Sequence, residues 1–160
     1  MEYYELLDDI VNQNFNKCLK KAERKLYSRD LGLIISDNNA ISHHAAERSI
    51  VFRFGHYLAE VISTNDVLSC FNLDCEYNLD IDGNKNREGR FLYPDLIMHK
   101  RKTNSYNFAV IECKGWWSER AGIEETKDKI RFFLCSERYS YRYGLLLIFN
   151  QGEAEYNWIE

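Results

Sequence analysis

A short apolar stretch that ends in two charges constrains the fold of this chain more than any other feature. The apolar residues 109–111 lead directly into Glu112, Cys113 and Lys114. Such a run is typical of a central strand that is covered on both faces. Because side chains alternate across a strand, Glu112 and Lys114 share one face and Cys113 points to the other. A carboxylate and an ammonium group at the end of a buried strand are costly to desolvate, so they need partners or a chemical role.

Hydrophobic periodicity predicts which elements surround that strand. Apolar residues at helical spacing predict helices over about residues 2–27, 42–63 and 122–136. Alternating apolar and polar residues, or short apolar runs, predict strands over about residues 71–82, 90–100, 108–115 and 143–149. They also predict a last strand near the C-terminus. The order helix, helix, three strands, helix, two strands indicates an α/β protein with a mixed sheet flanked by helices.

The same pattern predicts one domain with three parts. We expect an N-terminal helical extension over residues 1–36, a core over residues 42–150 and a C-terminal strand over residues 151–160. We find no internal repeat or low-complexity linker that would divide the chain.

The composition excludes several classes of protein. With 160 residues, 45% of them hydrophobic and 29% charged, the chain has the balance of one globular domain. No apolar run approaches the roughly 20 residues that cross a bilayer, and residues 1–9 contain acids but no base, which is unlike a signal peptide. The five cysteines are odd in number and lack the spacing of a zinc or redox motif, so we expect reduced, mostly buried thiols in a cytoplasmic protein without a membrane partner. The net charge of −4 gives no long-range attraction to nucleic acid.

Asp95 is a second acid in a position that is unusual for a strand. It follows Pro94, the only proline in the chain. Proline removes a hydrogen-bond donor from the sheet and marks an irregularity, which can turn the next side chain away from the sheet. If the two predicted strands are neighbours, Asp95 and Glu112 converge. Two carboxylates are hard oxygen ligands of the kind that Mg²⁺ and Mn²⁺ prefer, and a lysine beside them can position or deprotonate a water.

Glu47 is a third acid that falls on an apolar face. At helical spacing it lies in line with Val51, Phe54 and Leu58. One interpretation is a buried salt bridge with an arginine, and the other is a functional carboxylate that binds a metal directly or through water.

The motif in these segments resembles that of a known superfamily. Pro94-Asp95, sixteen intervening residues and then Glu112-Cys113-Lys114 are similar to the signature of the PD-(D/E)XK nucleases. The strings at about residues 46–51, 74–78 and 93–101 also look similar to small bacterial proteins of that superfamily. The resemblance implies a restriction-endonuclease-like core with the order α-β-β-β-α-β. The middle residue of the motif departs from the usual pattern, because a cysteine stands where an apolar residue is common.

The resemblance also implies roles for the site residues. Asp95 and Glu112 would bind Mg²⁺ or Mn²⁺, with the main-chain carbonyl of Cys113 as a further ligand. Lys114 would position or deprotonate the nucleophilic water. Glu47 would complete or tune the site. The implied activity is hydrolysis of phosphodiester bonds in DNA, with RNA less favoured, by an endonuclease or exonuclease of restriction, defence or repair.

Three basic residues are candidates for substrate binding. Lys100 and Arg101 lie in a predicted turn after the second strand, and Lys127 lies in the helix that follows the motif. They would contact the phosphate backbone. The alternative for each is a solvated surface residue, and for Lys127 this includes an ion pair with Glu124 or Asp128.

Two other interpretations of the chain stay open. It could be an inactive module of the same fold that binds a protein or a nucleic acid, or Glu47, Asp95 and Lys114 could form a buried ion network without a ligand. A homodimer through the first helix or the terminal strand would let a small nuclease reach both strands of a duplex. Trp116 and Trp117, directly after the motif, either cap the core or stack on a base.

Overall fold

The computed structural model describes residues 2–38, 41–80 and 83–160, and the side chains of residues 8–36, 43–80 and 83–160. The helices are α1 (Glu2–Arg29), α2 (Leu31–Ile34), α3 (Glu47–Ser63) and α4 (Arg120–Cys135). The strands are β1 (Ser36–Asn38), β2 (Ile41–His43), β3 (Asn72–Cys75), β4 (Leu79–Asp80), β5 (Gly83–Asn84), β6 (Asn86–Arg87), β7 (Arg90–Phe91), β8 (Leu96–His99), β9 (Asn107–Gly115), β10 (Tyr143–Phe149) and β11 (Ala154–Ile159).

One five-stranded sheet organises the fold, in the order β11-β10-β9-β8-β3. Strands β9 and β10 are parallel, whereas the other neighbouring pairs are antiparallel. The expected α/β class with a mixed sheet is therefore confirmed. Strand β9 lies in the middle of the sheet and is almost fully buried, as its apolar run predicts.

Helices cover both faces of this sheet. Side chains of α1 and α3 pack on one face, together with Ile111 and Cys113 of β9. Ile130 and Phe133 of α4 pack on the other face, together with Val110. Because alternate residues share a face, Glu112 and Lys114 belong to the face that α4 covers.

Gly144 of β10 lets α4 approach the sheet closely. A methyl group built on Gly144 would lie 2.4 Å from Cγ2 of Ile130. Real Cβ atoms do not tolerate such a distance, so the packing of α4 depends on the missing side chain.

One predicted strand is wrong in extent. The strand expected over residues 71–82 ends at Cys75, because Glu76 adopts a positive φ of 48° and its N–H donates to the Asp95 carbonyl at 3.1 Å. Short hairpins, β4–β5 and β6–β7, follow instead. The last two residues of that prediction, 81 and 82, lie outside the described residues. The irregularity expected at Pro94 within residues 90–100 is present, because a segment that contains Pro94 separates β7 from β8.

The second helix begins later than its pattern predicts. The prediction starts it near residue 42, but residues 41–43 pair with residues 36–38 as a small hairpin, and α3 begins at Glu47. This shift places Glu47 in the first turn of the helix, where a negative charge is favourable.

The cysteines are free, as expected, but less buried than expected. All five lie in the described part of the chain and none is in a disulfide there. Cys18 and Cys113 are buried, whereas Cys70, Cys75 and Cys135 are exposed. Among the described residues, no helix has the length and apolar character needed to cross a membrane.

Candidate active site

The sheet register brings Asp95 and Glu112 to the same level. Leu96 pairs with Ile111 in the antiparallel ladder of β8 and β9, so Asp95, one residue before, stands beside Glu112, one residue after. The Asp95 side chain is held by the chain itself, since its Oδ2 accepts the N–H of Cys113 at 2.8 Å. The convergence that the sequence predicts from neighbouring strands is therefore present.

Glu112 is a buried carboxylate with one partner. Only 4% of the residue is exposed. Lys129 of α4 donates to its Oε2 at 2.9 Å and lies 2.8 Å from its Oε1. The same ammonium group donates to the Tyr93 carbonyl at 2.8 Å. Oε1 is buried, and its contact with the Lys129 ammonium is an ion pair without hydrogen-bond geometry, so among the described residues no donor is aligned with the lone pairs of this oxygen.

The two acids resist ionisation in this environment. Burial, and then the charge of Asp95, raise the pKa of Glu112 to about 7, against the opposing effect of Lys129. Burial also raises the pKa of Asp95, although the N–H of Cys113 and the charge of Lys129 oppose this. Carboxylates that are costly to ionise gain most from a cation placed between them.

Lys114 and Glu47 form an ion pair across the end of β9. The Lys114 Nζ donates to Glu47 Oε1 at 3.0 Å, and the N–H of Gly115 donates to Glu47 Oε2 at 3.3 Å. Burial lowers the pKa of Lys114, but the hydrogen bond and the charge of Glu47 outweigh it, so this pKa is raised. In the metal-free protein Lys114 is therefore a permanently charged donor. Glu47 has a salt-bridge partner, but that partner is a lysine and not an arginine.

The residues fit a divalent cation with two protein carboxylates. Within the described ranges, no group of three histidine, cysteine or acidic side chains is arranged to hold a metal. Mg²⁺ characteristically takes one or two carboxylates and fills its other positions with water and substrate phosphate, so this set suffices. The observation that favours an ion here is the buried Oε1 of Glu112, with which no hydrogen-bond donor is aligned among the described residues. The Cys113 thiol is no ligand candidate, because burial raises its pKa well above the usual value.

No family model, curated protein or solved structure matches this chain. What the site can do therefore follows from its own residues.

The three basic residues predicted to bind substrate lie apart from the two acids. Lys100 and Arg101 follow the end of β8 that is remote from Asp95. The Arg101 guanidinium is bonded to Asp74, with its Nε at 2.8 Å. The partly buried Lys127 is paired with Glu124 at 2.9 Å, which is the ion pair that the sequence left open.

Sequence reasoning missed Lys129, the one α4 residue that bonds a site acid. A signal for it exists in the helix. Thr126, Ile130 and Phe133 define the buried face of α4, and Lys129 follows Thr126 by three residues. A charged residue on an inner helix face calls for a partner by the argument already applied to Glu47.

The two tryptophans after the motif pack against the protein. The indole N–H of Trp116 donates to the Ile34 carbonyl at 2.9 Å. The Trp117 ring stacks on His44 with 3.4 Å between ring centroids and 7° between planes. This placement favours the core-capping interpretation over stacking on a base.

An open groove of about 820 Å³ leads to the site. Its floor contains Asp95, Glu112 and Lys114. One wall is α4 and the other is the β6–β7 hairpin. The acids therefore face a space in which a polymer strand could lie.

Proposed function

We propose that the protein is a Mg²⁺- or Mn²⁺-dependent phosphodiesterase that hydrolyses DNA, with RNA less favoured, on a restriction-endonuclease-like core. One observation carries the proposal. Asp95 and Glu112 stand level on neighbouring strands at the floor of an open groove, and one buried Glu112 oxygen, although ion-paired with Lys129, has no aligned hydrogen-bond donor in the described part of the chain.

Each residue has a role that follows from its contacts. Asp95 and Glu112 would hold the cation, and a bound Mg²⁺ or Mn²⁺ would supply polarisation of the phosphoryl oxygen and a water of lowered pKa. Lys114 carries its positive charge into the groove and would hydrogen-bond the scissile phosphate or orient the water. Glu47 is a positioning residue, since its carboxylate holds the Lys114 ammonium.

Lys129 tunes the same site from α4. Its ammonium neutralises part of the charge on Glu112 and is tied to the Tyr93 carbonyl. It keeps a buried carboxylate tolerable when no cation is bound.

Hydrolysis of supercoiled plasmid and of single-stranded DNA with Mg²⁺ or Mn²⁺ tests the proposal. Asp95→Asn and Lys114→Met should each lower the rate by about 100-fold or more, as loss of a metal ligand or of a charge-stabilising donor does. The matched control is Lys127→Met, because the ammonium of Lys127 pairs with Glu124 rather than with a site acid, so this variant should keep the wild-type rate. A wild-type protein inert on DNA and RNA, or site variants as active as the control, would contradict the proposal.

A second candidate is a module of this fold that binds without catalysis. It is favoured by the Lys129 ammonium, which already lies where a cation would sit near Glu112. Titration of Mn²⁺ by calorimetry distinguishes the two. Binding that disappears in Asp95→Asn supports the phosphodiesterase, whereas no binding in the wild type supports the module.

We place this activity in the cytoplasm, in restriction, defence or repair. The three exposed thiols, Cys70, Cys75 and Cys135, are free. Free surface cysteines persist in a reducing compartment, which supports this setting.

A further inference from the structure

The β6–β7 hairpin is an exposed projection beside the proposed active site. Asn86 pairs with Phe91 and Arg87 pairs with Arg90. The turn between them has positive φ angles at Glu88 and Gly89, 52° and 80°, which suit a two-residue hairpin loop.

The base of this hairpin is firmly anchored. The N–H of Asn86 donates to the hydroxyl of Tyr139 at 2.9 Å, and Tyr139 is only 2% exposed. The buried side chain of Asn78 donates to the carbonyls of Lys85 and Leu92, at 3.1 Å and 2.6 Å. An isolated two-stranded hairpin is marginal in water, so these bonds hold it in one position next to the groove.

The hairpin carries two cations next to its turn and an exposed ring at its base. Arg87 and Arg90 are exposed, and in the described part of the chain neither forms an ion pair. Phe91 is 61% exposed. The Arg87 guanidinium lies 5.2 Å from the ring centroid of Phe132, on the opposite wall of the groove. A large exposed ring beside two arginines without an ion-pair partner among the described residues is a combination that the fold itself does not need.

The charge of the groove argues against a purely electrostatic substrate contact. Besides its four basic residues it is lined by Glu88, Glu125 and Asp128, and by the two site acids. A rigid duplex would bring its dense phosphate charge against these acids. An aromatic side chain can instead gain affinity by stacking on a base, but only where the face of that base is free.

We propose that the β6–β7 hairpin binds an unpaired DNA strand, with Phe91 stacked on a base and Arg87 and Arg90 on neighbouring phosphates. The substrate is then a single-stranded segment, such as an overhang, a flap or a loop. This inference rests on the proposed function, since it takes the groove to hold the strand that the site cleaves.

Fluorescence anisotropy with the full chain tests it. A labelled single-stranded DNA of about 12 nucleotides and the duplex of the same sequence are titrated in EDTA, so that binding is measured without cleavage. The wild type should bind the single strand more tightly than the duplex. Phe91→Ala should weaken single-strand binding by about 5- to 150-fold, which is the range for loss of one stacked base. Arg90→Ala should weaken single-strand binding. It should also make the slope of log K against log salt concentration shallower by about the contribution of one released counterion.

Matched controls exist for both substitutions. Tyr106 is also 61% exposed, and it lies in the turn before β9, at the end of that strand remote from Lys114. Arg24 is exposed on α1, on the other face of the sheet from α4. Tyr106→Ala and Arg24→Ala should bind within about 2-fold of the wild type, as surface residues outside an interface do.

The outcomes separate this inference from the proposed function. Equal binding by Phe91→Ala and Tyr106→Ala, duplex binding as tight as single-strand binding, or no DNA binding at all would overturn the hairpin contact, even if the wild type cleaves DNA. Loss of single-strand binding in Phe91→Ala by a protein that cleaves nothing with Mn²⁺ would support the contact and contradict the hydrolysis. Tighter binding of the RNA of the same sequence would overturn DNA as the strand bound.

Discussion

Replacing Glu112 by glutamine should stabilise the metal-free protein at pH 8 and abolish its stabilisation by Mn²⁺. The pKa of Glu112 is raised from 4.5 to about 7. Because the folded chain holds this proton to a higher pH than the unfolded chain, the group lowers stability as the pH rises between those values. At about 1.4 kcal/mol per tenfold change in proton affinity, the cost at pH 8 is about 3 kcal/mol.

That cost is already net of the attraction of Lys129, which opposes the rise of the Glu112 pKa. Glutamine is not identical to the protonated carboxyl, because its amide NH2 group is a donor placed beside the Lys129 ammonium. A poorly paired buried donor takes back part of the roughly 3 kcal/mol, so we expect a net gain of about 1–2 kcal/mol. For a chain of this length the gain corresponds to an increase in Tm of about 2–8 °C.

The change in Tm caused by Glu112→Gln is measured by thermal unfolding, followed by circular dichroism in EDTA at pH 5 and pH 8. Glu112→Gln should unfold at a higher temperature than the wild type at pH 8 and at nearly the same temperature at pH 5, where the wild-type carboxyl is largely protonated. Mn²⁺ at about 100 times its Kd should stabilise the wild type by about 2.7 kcal/mol and leave the variant unchanged. Glu124→Gln, which removes the same charge from a side chain that is 52% exposed, is the control and should show neither effect.

A Glu112→Gln variant that is less stable than the wild type at pH 8 would refute the reasoning. It would mean that the ion pair between Glu112 and Lys129 stabilises the folded protein by more free energy than the burial of the Glu112 carboxylate costs. An equal gain in Glu124→Gln would show that the effect comes from overall charge.

Two further substitutions test the packing of the site. Lys114→Met should cost about 1 kcal/mol in urea unfolding, because it removes the ion-pair partner of the half-buried Glu47 carboxylate, whereas Lys21→Met at an exposed position of α1 should change stability by less than about 0.5 kcal/mol. Gly144→Ala places a methyl group 2.4 Å from Ile130 and should cost about 1–3 kcal/mol. Its matched control, Gly122→Ala in α4, meets no atom within 4 Å and should stabilise by about 0.5–1 kcal/mol. Equal effects of the two alanines would contradict the account of α4 packing.

The sheet and its central strand follow from the sequence, but the connection between β3 and β8 does not. The apolar run before Glu112 predicts a central buried strand, and this strand is β9. Alternation over residues 71–82 predicts one long strand, yet the chain turns at Glu76 and forms two hairpins tied to Asn78 and Tyr139. Those bonds join residues that are distant in sequence, so no local pattern contains them.

The acids of the site are easier to find from sequence than the bases. Each acid is out of place in an apolar segment, and this alone marks Asp95 and Glu112. Lys127 and Lys129 both lie in the predicted helix and are equally exposed, and only the way the helix packs on β9 and β10 decides that Lys129 bonds Glu112 while Lys127 pairs with Glu124. The direction of the Lys114 pKa likewise depends on its bond to Glu47, which joins the start of α3 to the end of β9.

The most direct test of the account is anomalous diffraction from crystals soaked in Mn²⁺. We expect one strong peak within about 2.0–2.3 Å of carboxylate oxygens of both Asp95 and Glu112, a distance typical of small divalent cations. No peak at this place, with the Lys129 ammonium still hydrogen-bonded to Oε2 and ion-paired with Oε1 of Glu112, would contradict the metal site on which the proposed activity depends.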